Sequence, residues 1–107
     1  MSTLFSPYTL RSPQAELVLP NRIVVAPMCQ YAATEGQATD WHLMHWGNLL
    51  NSGAGMFTIE ATAVVPEGRI TPFCLGLWDE ATESALRTHL QRARKLAPLS
   101  LIHISEP

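Results

Sequence analysis

Asn21-Arg22-Ile23-Val24-Val25-Ala26-Pro27-Met28-Cys29-Gln30-Tyr31 is the run that frames everything around it. Ile23 to Ala26 is an unbroken apolar segment with three β-branched residues, the composition of a buried β-strand. Pro27 ends that strand, because it has no N–H to give to a neighbour. A thiol, an amide and a phenol follow at Cys29, Gln30 and Tyr31. Parallel α/β folds display their sites in this position, at the carboxyl edge of the strands. The plainer alternative is a core strand with a buried cysteine acting as a small hydrophobe.

Toward the N-terminus, residues 1–20 lack a regular period and are punctuated by Pro7, Pro13 and Pro20. Leu17-Val18-Leu19 predicts a short strand that turns at Pro20-Asn21 and pairs with Arg22–Val25. Such a hairpin would plug one end of a larger structure. Toward the C-terminus, Ala32 to Ala38 reads as a loop turning at Glu35-Gly36. Thr39 or Asp40 then supplies an N-cap oxygen. Leu43, Trp46, Gly47 and Leu50 recur at i, i+3, i+4 and i+7, so a helix follows, and Ser52-Gly53 stops it.

Met56 to Ile59 begins a second strand, which is expected to continue through Glu60 to Val65 and to close at Pro66. Pro66 to Gly76 reads as a loop. Asp79 caps a second helix whose stripe is Leu86, Leu90, Ala93 and Ala97. Glu80 and Glu83 lie in its first turn and Arg92, Arg94 and Lys95 in its last, the order that complements a helix dipole. Pro98 ends this helix, and Leu99 to Ile104 predicts a third strand. Strand, helix, strand, helix, strand is an α/β order with parallel strands and right-handed crossovers.

Composition narrows the function classes. The chain has 107 residues, 47% of them hydrophobic, which suits one small domain with a core rather than a disordered polyampholyte. Seven Lys and Arg against nine Asp and Glu give a net charge of −2, and no basic cluster recommends nucleic acid. Cys29 and Cys74 show no framework of spacings, which fits a reducing compartment. Met1 to Leu10 carries no Lys or Arg and has Ser6, Pro7 and Tyr8 where a signal peptide needs an apolar run. No window approaches the ~20 apolar residues of a membrane span. A soluble cytoplasmic protein without a membrane partner is the expectation.

Several residues have chemistry to offer. Cys29 and Tyr31 would share one side if strand geometry persisted. A thiol there can shift the potential of a redox cofactor, and a phenol can orient a carbonyl substrate. His42 and His45 stand at i, i+3 but lack the glutamate and the i, i+4 spacing of a zinc-protease helix, and no Cys or Asp completes a ligand set. Packing against Trp41 and Trp46 accounts for them better, and no metal is expected. Gly53-Ala54-Gly55 precedes a strand and has too few glycines for a dinucleotide-binding turn. Glu60 and Glu67 form an acid pair on paper, although Glu67 falls in a solvated loop. Arg69 is an anion ligand or, more simply, a solvated side chain.

Taken in order, Asn21-Arg22-Ile23 with Ala26-Pro27-Met28-Cys29-Gln30-Tyr31, Asp40-Trp41-His42, Gly53-Ala54-Gly55, Glu60-Ala61-Thr62-Ala63-Val64 and Glu67-Gly68-Arg69-Ile70-Thr71 resembles the Old Yellow Enzyme family. The similarity runs from about Leu4 to Ala97. It is greatest to the bacterial branch with a cysteine beside the flavin, the xenobiotic reductase and NADPH dehydrogenase type. The resemblance implies an FMN-binding (β/α)8 TIM barrel. Residues 1–107 would be the N-terminal part of that single domain: the hairpin and the first two to three βα units. Such barrels take roughly 250 residues.

The resemblance also implies roles. Ala26, Pro27, Met28 and Cys29 would lie against the isoalloxazine ring, largely through backbone atoms, with Cys29 tuning the potential at the reactive edge. Ala63 would be a second backbone contact with FMN, and Tyr31 would touch substrate. NADPH or NADH would reduce FMN, and hydride would pass from flavin N5 to the β-carbon of an alkene activated by a carbonyl or nitro group. The implied activity is that of an ene reductase with a small-molecule partner, and its parent is allowed to be a homo-oligomer. Where the family's third strand resembles Gln-x-x-His-Ala-Gly-Arg, this chain has Ser100-Leu101-Ile102-His103-Ile104-Ser105-Glu106-Pro107, so His103 is not equated with the family histidine. The expectation is an N-terminal fragment, inactive alone, of an active full-length parent. Two rivals stand beside it. The tRNA dihydrouridine synthases are FMN barrels that share the Ala-Pro-Met strand end, but the acidic balance disfavours them. The other is a non-catalytic interaction fragment.

Overall fold

In the computed structural model, residues 3–96 are described. Two short strands come first, β1 at Tyr8–Arg11 and β2 at Glu16–Leu19. Then follow β3 at Val24–Val25, α1 at Asp40–Leu50, β4 at Met56–Phe57, a 3₁₀ turn at Pro66–Gly68, and α2 at Glu80–Leu96. The strand pair β3–β4 is parallel, with Val24 opposite Met56 and Val25 opposite Phe57. Gly55 N–H to Ile23 O (2.9 Å) and Thr58 N–H to Val25 O (3.1 Å) extend this ladder at both ends. The antiparallel hairpin predicted to join Leu17–Leu19 to Arg22–Val25 is therefore not formed, because those backbone groups are spent on β4.

The hairpin has a different partner. Strand β2 pairs antiparallel with β1, Tyr8 opposite Leu19 and Arg11 opposite Glu16, so residues 8–11 are not irregular. Ser12 makes the turn: its Oγ accepts the N–H groups of Gln14 (3.3 Å) and Ala15 (3.1 Å), the local competition with regular structure that favours serine in turns. Arg22 ties the hairpin to β3, donating its N–H to Leu4 O at 2.9 Å and setting its guanidinium 5.1 Å from the centre of the Tyr8 ring. Between them lies an apolar hollow of about 300 Å³ lined by Tyr8, Leu10, Leu19, Arg22, Val24 and Met56. It sits at the amino-terminal start of the parallel strands.

Both helices begin where their capping residues predict. Thr39 precedes α1, its N–H donating to His42 Nδ1 (3.0 Å) and its hydroxyl to Ala32 O (3.0 Å). Asp79 precedes α2, and its Oδ1 accepts the N–H (2.8 Å) and the hydroxyl (2.9 Å) of Thr82. Gly53, at φ +87°, ends the first helical unit in a conformation that costs glycine little. The core joins Trp46 and Leu50 of α1 to Phe57, Leu75 and Ala93, with Ala33 and Ala38 closing it. Leu43, Leu86 and Leu90 pack against that core, as the helical stripes require.

The strands are shorter and less covered than expected. Val24 is exposed and Val25 half-buried, since β3 has one neighbouring strand among the described residues. Pairing beyond Phe57 is limited: the predicted strand to Val65 makes a single parallel bridge, Ala63 to Gly76, and bends at Val64 and Val65. Ala97, Pro98 and the predicted third strand Leu99–Ile104 lie outside the described residues. No helix among the described residues is long and apolar enough to cross a membrane.

Candidate functional site

The carboxyl ends of β3 and β4 lie side by side and carry the residues singled out above. Beyond Val25, Ala26, Pro27 and Met28 are exposed, and Cys29 and Gln30 are half-buried. Tyr31 is 51% exposed, and its backbone takes φ +53°, a left-handed conformation that is uncommon for a residue with a Cβ. The strand stops at Val25 and Tyr31 turns left-handed, so the strand alternation that would put Cys29 and Tyr31 on one side is absent.

Gln30 organises this edge. Its side-chain Nε2 donates to Met28 O (2.9 Å), and its Oε1 accepts the Trp41 indole N–H (3.0 Å). Its backbone N–H donates to Glu60 Oε2 at 3.2 Å, joining the two strand ends across thirty residues of chain. Glu60 is only 5% exposed and His42 is fully buried. His42 Nδ1 accepts the Thr39 N–H, so the neutral ring carries its proton on Nε2. That Nε2 approaches Glu60 Oε1 to 3.3 Å without the alignment of a hydrogen bond, and neither atom has a hydrogen-bond partner among the described residues. The close approach and the missing hydrogen bond are one arrangement: two buried groups in contact, with the ring N–H directed off the carboxylate oxygen.

His42 packs its ring on Trp46 with centroids 5.4 Å apart, as expected, while Trp41 turns outward to Gln30. Burial lowers the pKa of His45; the Glu60 carboxylate opposes that and the nearby His42 adds to it. Glu67 is exposed on the 3₁₀ turn, and the Glu60 carboxylate meets Gln30 and His42 instead, so the acid pair is not formed. Among the described residues, no group of three or more His, Cys, Asp or Glu is placed to hold a metal ion.

Ala63 donates its N–H to Leu75 O (2.9 Å) and accepts the Leu77 N–H (2.8 Å). What it still offers a ligand is its methyl group and the second lone pair of its carbonyl. The loop beyond it is built around Trp78. Gly76 donates to Gly36 O at 2.8 Å, and the Arg69 guanidinium lies 5.3 Å from the Trp78 ring centre. Arg69 also donates to Pro66 O (2.9 Å) and Pro72 O (3.3 Å), so it holds its own loop rather than standing solvated. Cys74 is buried beside Thr71. Burial pushes its thiol pKa up, but hydrogen bonds from the Thr71 hydroxyl and the Thr71 and Ile70 backbone outweigh this and leave it lowered.

Sequence reasoning missed the Gln30–Glu60–His42 arrangement. One signal was available: Glu60 interrupts an apolar strand, where a carboxylate needs a partner.

The model of the NADH:flavin oxidoreductase / NADH oxidase family matches residues 3–104 of the chain. An NADH:flavin oxidoreductase of Gibberella zeae is 45% identical over 84 residues, covering 78% of this chain and 19% of that protein. Among solved structures, morphinone reductase superposes with a TM-score of 0.75 at 25% identity, over 94% of this chain and 25% of its own. The old yellow enzyme homologue from Zymomonas mobilis gives a TM-score of 0.75 at 25% identity, over 96% of this chain and 27% of its own. The chain thus spans about a fifth of the length of the curated relative it matches.

Proposed function

The chain belongs to the NADH:flavin oxidoreductase / NADH oxidase family and has the fold of the first units of its (β/α)8 barrel; from that premise we propose an FMN-dependent ene reductase. The whole protein would take hydride from NADH or NADPH and deliver it to an alkene activated by a carbonyl or nitro group. Residues 1–107 would form part of one barrel domain. Closing such a barrel takes roughly 250 residues, so the activity is assigned to the whole barrel and not to this segment alone.

One observation carries the reading: the exposed Ala26-Pro27-Met28 edge at the carboxyl end of a parallel strand, fastened through Gln30 to Glu60. The residues present suit a flat, largely apolar ring. Ala26 has only a methyl group, Pro27 has no N–H that would need a partner, and the Met28 carbonyl is already engaged by Gln30. Cys29 is half-buried at the end of this edge, where a thiol can donate to a ring acceptor. Ala63 would flank the ring from the second strand, and Tyr31, exposed beyond Cys29, would meet substrate. A bound flavin supplies the hydride acceptance and donation; these side chains would hold and orient it and exclude water from its edge.

The test is purification of the whole protein that carries this segment, followed by visible spectroscopy after gel filtration. Retained flavin is expected, as is anaerobic oxidation of NADH or NADPH that accelerates with a cyclic enone or a nitroalkene. Loss of flavin, or nicotinamide oxidation that tRNA stimulates and the enone does not, overturns the reading.

A further inference from the structure

We infer that Glu60 is a positioning residue of this edge: one carboxylate oxygen holds the Gln30 backbone N–H while His42 occupies the other, which fixes where Met28 and Cys29 are presented. Its consequence for catalysis rests on the flavin reading above; its geometry does not. A buried carboxylate is costly unless it is engaged, and here the Gln30 N–H engages Oε2, while core packing is supplied by Phe57 of β4 and Ile59 beyond it. The carboxylate instead points across to the neighbouring strand end. The ladder between β3 and β4 stops at Thr58 N–H to Val25 O, and the Glu60–Gln30 bond carries the connection five residues further along the first strand end.

Three contacts transmit this anchoring. With its N–H held by Glu60, Gln30 has its amide directed to the Met28 carbonyl and to the Trp41 indole. Met28 and Cys29 are therefore closed into a short loop between Val25 and a fixed Gln30. His42 cannot turn away, because its Nδ1 completes the Thr39 cap of α1 and its ring rests on Trp46. It blocks the Oε1 side and leaves Oε2 for the loop.

The experiment uses the whole flavoprotein carrying this segment, with and without FMN, and reads the Gln30 amide by NMR together with FMN affinity and the flavin's visible band. In the wild type the Gln30 amide should be downfield and protected from exchange even without FMN. Glu60→Ala should lose that protection, weaken FMN by about tenfold, the scale of one hydrogen bond, and shift the flavin band. Glu60→Gln keeps an oxygen acceptor and should restore amide protection and FMN affinity to within about threefold of wild type and return the flavin band to its place. Glu60→Asp keeps the charge beside His42 but falls short of Gln30, so it should resemble Glu60→Ala; it serves if the alanine variant does not fold. A Gln30 amide that exchanges freely in the wild type overturns the inference. So does a loosened Gln30 that leaves FMN affinity and the flavin band unchanged. If the amide behaves as expected but the wild type binds no FMN, the flavin reading fails and the anchoring stands.

Discussion

The Trp78 indole lies against Gly76 so closely that a Cβ on that glycine would sit 2.0 Å from the ring, and Gly36 faces the same indole with a corresponding approach of 2.3 Å. Gly76 also donates to Gly36, so one ring and one hydrogen bond lock the loop after β3 to the loop after β4.

Replacing Gly76 by alanine should therefore destabilise the protein. The ring or the backbone must shift, and overpacking of this kind costs about 1–3 kcal/mol. Gly36→Ala adds a second difficulty, because that residue holds φ +75°. Denaturant unfolding of both variants should give lower midpoints, and an unchanged midpoint for Gly76→Ala would show that the indole moves freely.

Asp79 links helix capping to pH. Hydrogen bonds from the Thr82 N–H and hydroxyl hold its carboxyl pKa below the ordinary value of 3.8. A depressed pKa in the folded state contributes stability above the unfolded value, and that contribution is lost as pH falls through the folded one. Asp79→Asn should lower the melting temperature at neutral pH and converge with wild type as pH drops below about 4. Thermal melts across acid pH measure this; parallel curves at all pH values would refute it.

Cys29 should tune the flavin in the loaded whole protein. A neutral hydrogen bond contributes roughly 0.5–1.5 kcal/mol. For a two-electron couple ~1.4 kcal/mol corresponds to ~30 mV. Cys29→Ala should then move the midpoint by tens of millivolts and leave FMN bound. Cys74→Ala is the control: that buried thiol bonds to Thr71, so its loss should affect stability but not the potential. Spectroelectrochemical titration separates the two.

Tyr31→Phe should spare both folding and FMN affinity, since Tyr31 is exposed and lies outside the core cluster; stability should change by less than about 0.5 kcal/mol. The Michaelis constant for a carbonyl-activated alkene should rise several-fold if the hydroxyl meets substrate. Steady-state kinetics with an enone and its nitro counterpart would check this, and unchanged constants for both would remove Tyr31 from the substrate's surroundings.

The two helices, their starts at Thr39 and Asp79, and the parallel order of the strands around α1 follow from local sequence signals alone. Those signals are local: a capping oxygen, a 3.6-residue stripe and a glycine stop act within a few residues of where they are written. Ordered motifs between Leu4 and Ala97 also carried the family. The pairing of Leu17–Leu19 with Tyr8–Arg11 was not legible, because residues 8–11 show no regular period and the turn that brings them together is made by the Ser12 side chain. Nor did the sequence disclose that Glu60 would meet Gln30 and His42. Which buried polar groups face one another depends on how two strands and a helix are stacked. Desolvation then makes such contacts matter, and it exists only once the tertiary structure has excluded water from Glu60 and His42.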